Sequence, residues 1–245
     1  MVPVALAAAA ISEPSALVHA YDTVPVNAVV LLTVTSSDFV SAVVIFVVLA
    51  IFVMFGVLQV SPLSSHGRVM VIERMKTALL DFQKYNVPCH IIGQLQTNKV
   101  KYLPPLTKCI QSVDSVKLAK EIDKQYTKFN SVADVLVEVN IGYEDSKSGI
   151  DIINAYEFIH EISELKGLHV KGLMCVPPIC EGDMVRKYFA QMYQLFVDIQ
   201  SKKVDNVNMS ILSMGMSDDY KYAIMEGSNL IRVGSKIFGR RNYNI

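Results

Sequence analysis

Positive charge is missing from the first quarter of the chain. Residues 1–67 contain no lysine or arginine, so all 23 basic residues lie from Arg68 onward. The formal net charge of the 245 residues is nevertheless +0. Proteins that bind nucleic acid or a charged membrane surface usually carry an excess of basic residues. The composition therefore argues against nucleic acid as a partner.

The cysteines and histidines lack the spacing of a metal site. The four cysteines, at positions 89, 109, 175 and 180, form no CxxC pair, and the five histidines complete no zinc motif. We therefore expect no metal and buried, reduced thiols, which fit a reducing compartment. The N-terminus also lacks the basic segment of a secretory signal. These features predict a cytoplasmic protein and leave a mitochondrial location open.

Charge of either sign is absent from one long stretch. Residues 39–60 read FVSAVVIFVVLAIFVMFGVLQV, and a transmembrane helix needs ~20 such apolar residues. A spanning helix would place Arg68 and the remainder of the chain on the cytoplasmic side. The alternative is a buried strand–helix–strand segment of a globular fold. Composition alone favours the membrane-spanning interpretation.

Segments of helical periodicity alternate with short apolar strands over the rest of the chain. Helices are predicted at 65–85, 115–129, 151–165 and 183–202, and Asp114 or Ser115 can cap the second. Strands are predicted at 89–93, 109–114, 134–140, 169–176, 208–215 and 230–238, with further candidates at 28–34 and inside the apolar block.

This alternation predicts an α/β fold of the TIM type, a (β/α)8 barrel in a single domain. Eight βα units in about 250 residues is the usual size, and strands covered on both faces read as continuous apolar runs. The barrel would occupy residues 28–245, and its first unit, about 28–60, is atypically apolar. Residues 1–27 would form a poorly ordered N-terminal extension.

The last two predicted strands end in glycine and serine. In such barrels the loops after strands 7 and 8 often hold phosphate. Gly215 and Gly234 would let backbone N–H groups approach an anion, while Ser213 and Ser235 would add hydroxyl donors. A helix beginning near Ser217 would offer its positive end. Each residue alone fits an ordinary loop, but together they favour a phosphate site.

Arg232 lies two residues before Gly234 and so shares its side of the strand. A buried, unpaired charge is costly, so this arginine needs a partner. Its spacing is compatible with a structural ion pair or with a position facing a ligand ring nitrogen.

Four segments carry a resemblance to a known family: residues 90–103, 137–150, 171–178 and 212–243. In this order and spacing they resemble the pyridoxal-phosphate homeostasis proteins, single-domain relatives of the alanine racemase barrel. The resemblance implies a monomeric or weakly dimeric protein, here expected as a monomer, that binds pyridoxal 5′-phosphate as its cofactor. It also implies a role in intracellular vitamin B6 balance without robust catalysis.

The resemblance implies roles for individual residues. The phosphate-binding motif falls on Ser213, Met214 and Gly215, with Gly234 and Ser235. Arg232 matches the residue that faces the pyridine nitrogen. An arginine there discourages protonation of that nitrogen and weakens the ring as an electron sink.

The first quarter departs from the family pattern. Thr35 or Ser36 stands where the family has the lysine that forms the Schiff base, with Ser36 taken as the matching position, and no lysine precedes residue 76. A hydroxyl forms no imine with an aldehyde, so binding is expected to be non-covalent. The segment FGVLQV (55–60) keeps Phe55, Gly56 and Val60 of the next family motif. The retained spacing between the two motifs favours a buried first unit over a membrane span.

Two other functions are compatible with the same residues. A degenerate barrel, attached to a membrane through 39–60 or free of cofactor, would explain the missing lysine. An amino-acid racemase is disfavoured, because the chain lacks both that lysine and the second domain that supplies an opposing base. His90 could belong to a site, but its surroundings favour a structural histidine, and the loop 142–149 fits a solvated charged loop.

Overall fold

The computed structural model describes residues 89–144, 147–180 and 182–238, together with the backbone of two strands nearer the N-terminus. The strands are β1 Val30–Thr33, β2 Val44–Val47, β3 His90–Ile91, β4 Cys109–Val113, β5 Ala133–Val139, β6 Leu168–Cys175, β7 Val207–Met216 and β8 Leu230–Arg232. The α-helices are α1 Val116–Lys128, α2 Ala155–Ser163, α3 Asp183–Ser201, α4 Tyr220–Met225 and α5 Ser235–Phe238. Short 3-10 helices cover Thr97–Tyr102 and Ile152–Asn154.

Helix α1 shows how the sequence dictates the local structure. Leu118, Ile122 and Tyr126 recur at helical spacing and are all buried. Ser115 lies just before the helix with extended backbone, and its Oγ accepts a hydrogen bond from the N–H of Leu118 at 3.4 Å. A serine in this position satisfies an N–H group that has no partner within the helix. The predicted capping by Ser115 is confirmed.

The strands form one sheet in the order β1-β2-β8-β7-β6-β5-β4-β3. From β3 to β8 each strand pairs in parallel with the next strand along the chain. Strand β2 also runs parallel to β8, whereas β1 runs antiparallel to β2. The predicted parallel α/β architecture is confirmed for β3 to β8, whereas the antiparallel pairing of β1 with β2 differs from the all-parallel arrangement that was expected. No pairing among the described strands joins β1 to β3, so these strands do not by themselves make a closed eight-unit barrel.

The two faces of the sheet differ in what covers them. Val135, Val137 and Leu173 belong to the large apolar core, which also contains buried residues of helices α1, α2 and α3. The opposite face, called the inner face below, carries a separate small cluster of Cys109, Leu136 and Met174. Side chains alternate between faces along a strand. Residues two positions beyond Cys109 and Leu136 therefore also lie on the inner face.

The last strand is shorter than predicted. Residues 230–238 were expected to be extended, but β8 ends at Arg232 and the helical turn α5 begins at Ser235. The backbone N–H of Gly234 donates to the Oγ of Ser217 at 3.1 Å, outside the sheet ladder. Gly234 therefore bonds to a side chain of the preceding loop instead of continuing the strand, and the sequence pattern did not reveal this contact.

Several expectations concern residues outside the described ranges. These include the predicted helix at 65–85, the extension 1–27, and Ser36. Within the apolar block 39–60, residues 44–47 form strand β2, which pairs with β8. In the described portion of the chain, no helix is both long and apolar enough to cross a bilayer.

Candidate functional site

A layer of polar side chains lies on the inner face, toward the carboxyl ends of the strands. His90 on β3, Gln111 on β4, Ser213 on β7 and Arg232 on β8 are each less than a tenth exposed. Parallel strands bring their carboxyl ends to one edge of the sheet, which is where ligands bind in such folds. Buried polar groups need hydrogen-bond partners, so their contacts define the site.

These four side chains form one continuous hydrogen-bonded chain. Arg232 Nη1 donates to Ser213 Oγ at 2.6 Å, and Ser213 Oγ donates to Gln111 Oε1 at 2.7 Å. Gln111 Nε2 lies 2.9 Å from His90 Nδ1. This series of hydrogen bonds therefore crosses the inner face from β8 to β3, and we call it the inner network.

Arg232 is held from two directions. Besides the bond to Ser213, its Nη2 donates to the backbone oxygen of Cys175 at 2.8 Å. Burial lowers the pKa of Arg232, while Cys175, Glu138 and Asp219 act in the opposite direction. An arginine has five N–H donors, and these two bonds fix the plane of its guanidinium.

Glu138 adds a carboxyl group to the same face. It lies two residues beyond Leu136 on β5 and is 9% exposed. Burial raises the pKa of Glu138 to about 7; the negative charge of Asp114 adds to this effect and Arg232 opposes it. Its Oε2 has no hydrogen-bond partner among the described residues. This side chain can therefore exchange a proton near neutral pH.

The loops after β7 and β8 meet at Ser217. Its Oγ accepts hydrogen bonds from the backbone N–H of Gly234 at 3.1 Å and of Lys236 at 3.5 Å. Ser217 is buried, and none of the described residues accepts its hydroxyl proton. Both N–H groups are thus already bonded to the Ser217 oxygen, and the hydroxyl proton of Ser217 is the donor that an anion at this position could use.

Glycine is required at position 215, directly before this region. Its φ is +94°, and a Cβ there would come within 2.5 Å of the Cβ of Ala223 and 3.0 Å of the Cα of Tyr220. The next N–H, that of Met216, donates to Asp219 Oδ1 at 2.5 Å. Helix α4 begins at Tyr220 rather than near Ser217, where its start was expected.

The predicted site residues fall into two groups. Ser213 and Arg232 are in direct contact in the inner network, while Gly215 lies near the end of β7, directly before the loop of Ser217, and Gly234 bonds to Ser217. Ser235 is exposed beside Gly234. Met214 is fully buried in the large apolar core. The roles of these residues toward a ligand stay predictions.

Sequence reasoning missed Gln111, Glu138 and Ser217, and it favoured a structural role for His90. A signal was present for the first two. Gln111 and Glu138 are polar residues within the apolar strands CIQSV and ADVLVEV. A polar residue in a strand that is covered on both faces must find a buried partner or a ligand.

The cysteines offer no reactive thiol on the inner face. All four are free, and Cys89, Cys109 and Cys175 are buried. Burial raises the pKa of Cys89 and of Cys175 to about 12. A thiol acts as a nucleophile only when deprotonated, so these groups pack as small apolar side chains.

Comparison with known proteins identifies the class to which this architecture belongs. The sequence model of the family described as "alanine racemase, N-terminal domain" matches residues 55–242 of this chain. A parallel sheet with its site at the carboxyl ends of the strands is the architecture of that class, an alanine-racemase-like barrel.

Individual relatives identify the family within this class. The pyridoxal phosphate homeostasis protein of Aquifex aeolicus (strain VF5) is 44% identical over 155 residues, which cover 63% of this chain and 67% of the relative. The protein of the same name from Pasteurella multocida (strain Pm70) is 36% identical over 166 residues, covering 66% and 71%. The chain therefore belongs to the pyridoxal phosphate homeostasis proteins within the alanine racemase N-terminal domain family, and the resemblance found in the sequence is confirmed.

A solved structure supports the fold. PipY of Synechococcus elongatus PCC7942, determined without PLP, matches with a TM-score of 0.63 and 26% identity, covering 69% of this chain and 79% of that one. The structure of PipY with PLP bound matches with a TM-score of 0.61 at 24% identity, which bears on the fold alone.

Proposed function

We propose that the chain binds pyridoxal 5′-phosphate reversibly and serves its homeostasis as a carrier rather than as an enzyme. The observation that carries this proposal is the fixed guanidinium of Arg232 on the same strand-end edge as the donors around Ser217. The cofactor carries a ring nitrogen and, on a separate arm of the same ring, a phosphate; Arg232 would face the nitrogen and Ser217 the phosphate. The name shared by the curated relatives supports the assignment.

The donors fit the chemistry of a phosphate. The N–H groups of Gly234 and Lys236 point to one oxygen atom, that of Ser217, and the proton of this hydroxyl is available to an anion. Backbone N–H groups next to glycine approach phosphate closely, since no Cβ blocks them. Gly215, Gly234 and Ser235 would thus lie beside the phosphate, where the sequence also placed Ser213 and Met214.

Arg232 would lie against the ring of the cofactor. Bound pyridoxal phosphate withdraws electrons through its pyridine ring, and a neighbouring guanidinium weakens this effect because it keeps the ring nitrogen unprotonated. Holding the cofactor without strong activation suits storage and delivery. The relatives are named for homeostasis and not for a reaction.

Binding would be non-covalent. The sequence pattern places Thr35 or Ser36 at the position of the family lysine, and a hydroxyl forms no imine. Phosphate and ring contacts would then provide all of the affinity. The proposal further includes a monomer in the cytoplasm, with residues 28–60 as the first unit that completes the eight-unit barrel.

The test uses the purified full chain and pyridoxal 5′-phosphate. The protein is equilibrated with the cofactor, dialysed, reduced with borohydride, and analysed by intact mass and peptide mapping. We expect the cofactor to remain with the protein during dialysis, and no residue-specific adduct to form on reduction. An adduct on one particular lysine would overturn non-covalent binding, and absence of binding at any cofactor concentration would overturn the function.

Matched arginine variants locate the binding site. Arg232→Met removes the guanidinium of the inner network and should strongly reduce retention. Arg186→Met removes a partly exposed arginine that pairs with Glu226 at 2.6 Å, and should leave retention unchanged. Equal retention by both variants would place the cofactor elsewhere. A parallel screen for amino-acid racemisation should give no turnover above the background of free cofactor.

A further inference from the structure

The inner network has a direction that its chemistry fixes. Arg232 is only a donor, so the Oγ of Ser213 must accept its hydrogen bond. A serine hydroxyl has a single proton, and this proton is directed at Gln111 Oε1. An amide oxygen only accepts, so with the oxygen of Gln111 facing Ser213, as in the structure, each bond of Ser213 has one direction.

The same reasoning extends to His90. With its oxygen facing Ser213, the amide of Gln111 turns its NH2 group toward His90 Nδ1 at 2.9 Å. The NH2 group only donates, so Nδ1 must be the unprotonated nitrogen of the ring. The imidazole proton then resides on Nε2, and the ring is neutral.

The electrostatic surroundings agree with a neutral ring. Burial lowers the pKa of His90 to about 3, and the positive charge of Lys108 acts in the same direction. His90 is thus uncharged at all physiological pH values, and its tautomer is set by its neighbour.

We propose that His90 and Gln111 are positioning residues, which commit the hydroxyl proton of Ser213 to the inner network and hold Arg232 toward the ring of the bound cofactor. The ligand part of this inference rests on the proposed function. It assigns Ser213 to the ring end of the site, through Arg232, and assigns the phosphate-facing hydroxyl to Ser217.

One alternative arrangement would reverse these roles. If the amide of Gln111 were rotated by half a turn, its NH2 group would donate to Ser213 Oγ and its oxygen would accept from a protonated Nδ1 of His90. Ser213 Oγ would then accept twice, and its proton would be available to a phosphate. The tautomer of His90 therefore reports where the proton of Ser213 points.

The first test needs no ligand. Long-range 1H–15N NMR of the ligand-free full chain distinguishes the two tautomers of a neutral histidine, and the more exposed His160 and His169 serve as internal references. We expect His90 to carry its proton on Nε2 and to remain neutral from pH 5 to 8. A proton on Nδ1, or titration of His90 near the ordinary value of about 6.5, would overturn the proposal.

A pair of glutamine variants tests the link from Gln111 to His90. Gln111→Leu removes the donor to Nδ1, so the tautomer should no longer be fixed. Gln125→Leu is the matched control: Gln125 is also buried, but among the described residues its side chain bonds only to Glu121 and Lys128 of its own helix α1. A His90 signal that is unchanged in Gln111→Leu would contradict the network. If Gln111→Leu does not fold, the tautomer of His90 measured in the wild-type protein still tests the proposed direction of the inner network.

The second test compares two ligands that differ only in the phosphate, pyridoxal 5′-phosphate and pyridoxal. Ser213→Ala should weaken both ligands by the same factor, about fivefold to tenfold for one hydrogen bond. Ser217→Ala should weaken the phosphorylated ligand alone. Selective loss of the phosphorylated ligand in Ser213→Ala would overturn the assignment. If wild-type protein binds neither ligand, the proposed function fails, while the tautomer experiment still tests the network.

Discussion

Arg232 Nη2 and the backbone oxygen of Cys175 are joined by a hydrogen bond of 2.8 Å that ties β8 to β6 across the intervening strand β7. The acceptor belongs to the main chain, so the guanidinium is held by the sheet itself. Together with the 2.6 Å bond to Ser213, this contact sets the position of the charge before any ligand arrives. A preorganised donor costs little reordering when the ligand binds.

The planar guanidinium of Arg232, which donates in two directions, is expected to contribute to stability as much as its charge does. Arg232→Lys keeps the charge, but one ammonium group cannot reach both Ser213 and Cys175 in the same directions. We expect a loss of about 2 kcal/mol in the free energy of unfolding, measured by urea denaturation. Arg186→Lys, in the partly exposed pair with Glu226, should cost less than about 1 kcal/mol. Equal losses of unfolding free energy in the two variants would show that the pair of hydrogen bonds from Arg232 to Ser213 and Cys175 does not matter for stability.

Glu138 is expected to make stability depend on pH. Its pKa is raised from 4.5 to about 7 in the folded state, mainly by burial. Between these values the folded chain retains a proton that the unfolded chain releases. The contribution of Glu138 is therefore most favourable below about pH 4.5 and becomes unfavourable as the pH rises through 7.

Glu138→Gln should remove this dependence. Relative to wild type, the variant should gain about 3 kcal/mol in unfolding free energy between pH 4.5 and pH 7.5, as measured by urea denaturation at several pH values. Glu157→Gln, at an exposed position on α2, is the control and should change little over the same range. A constant difference between Glu138→Gln and wild type would refute the raised pKa.

Gly172 is expected to tolerate no side chain. Its φ is +151°, and an added Cβ would collide with the backbone oxygen of Ile211 on the neighbouring strand. Gly172→Ala must therefore separate β6 from β7, and we expect a loss of roughly 3 kcal/mol or more in unfolding free energy. Gly182→Ala is the control, since a Cβ there meets nothing within 4 Å at a φ of +59°. It should cost only about 1 kcal/mol from backbone strain. Similar losses in both variants would argue against the collision.

Ser115 is expected to stabilise helix α1 through its cap. Ser115→Ala removes the acceptor for the N–H of Leu118 and should cost about 1 kcal/mol in thermal or urea unfolding. Ser115→Asp retains an acceptor and should recover most of the loss. If aspartate fails to recover it, the serine contributes through something other than the cap.

The described elements from residue 89 onward agree closely with the sequence pattern, for a simple reason. Periodic apolar residues, as in α1, and continuous β-branched runs, as in β5, report which face of a segment is buried. The end of β8 was misplaced because its cause, the hydroxyl of Ser217, comes from a loop 17 residues earlier. The resemblance to the homeostasis proteins was also within reach of the sequence, since its motifs are contiguous.

The sequence by itself determined the order of the described helices and strands, the family, and the residues at the ends of β7 and β8, and it limited the cap of α1 to Asp114 or Ser115. It could not determine which polar side chains meet on the inner face. Ser213 and Gln111 are 102 residues apart, and they touch only because the sheet curves β4 toward β7 with both side chains on one face. Hydrogen bonds depend on distance and direction within fractions of an ångström, so only the tertiary structure decides them.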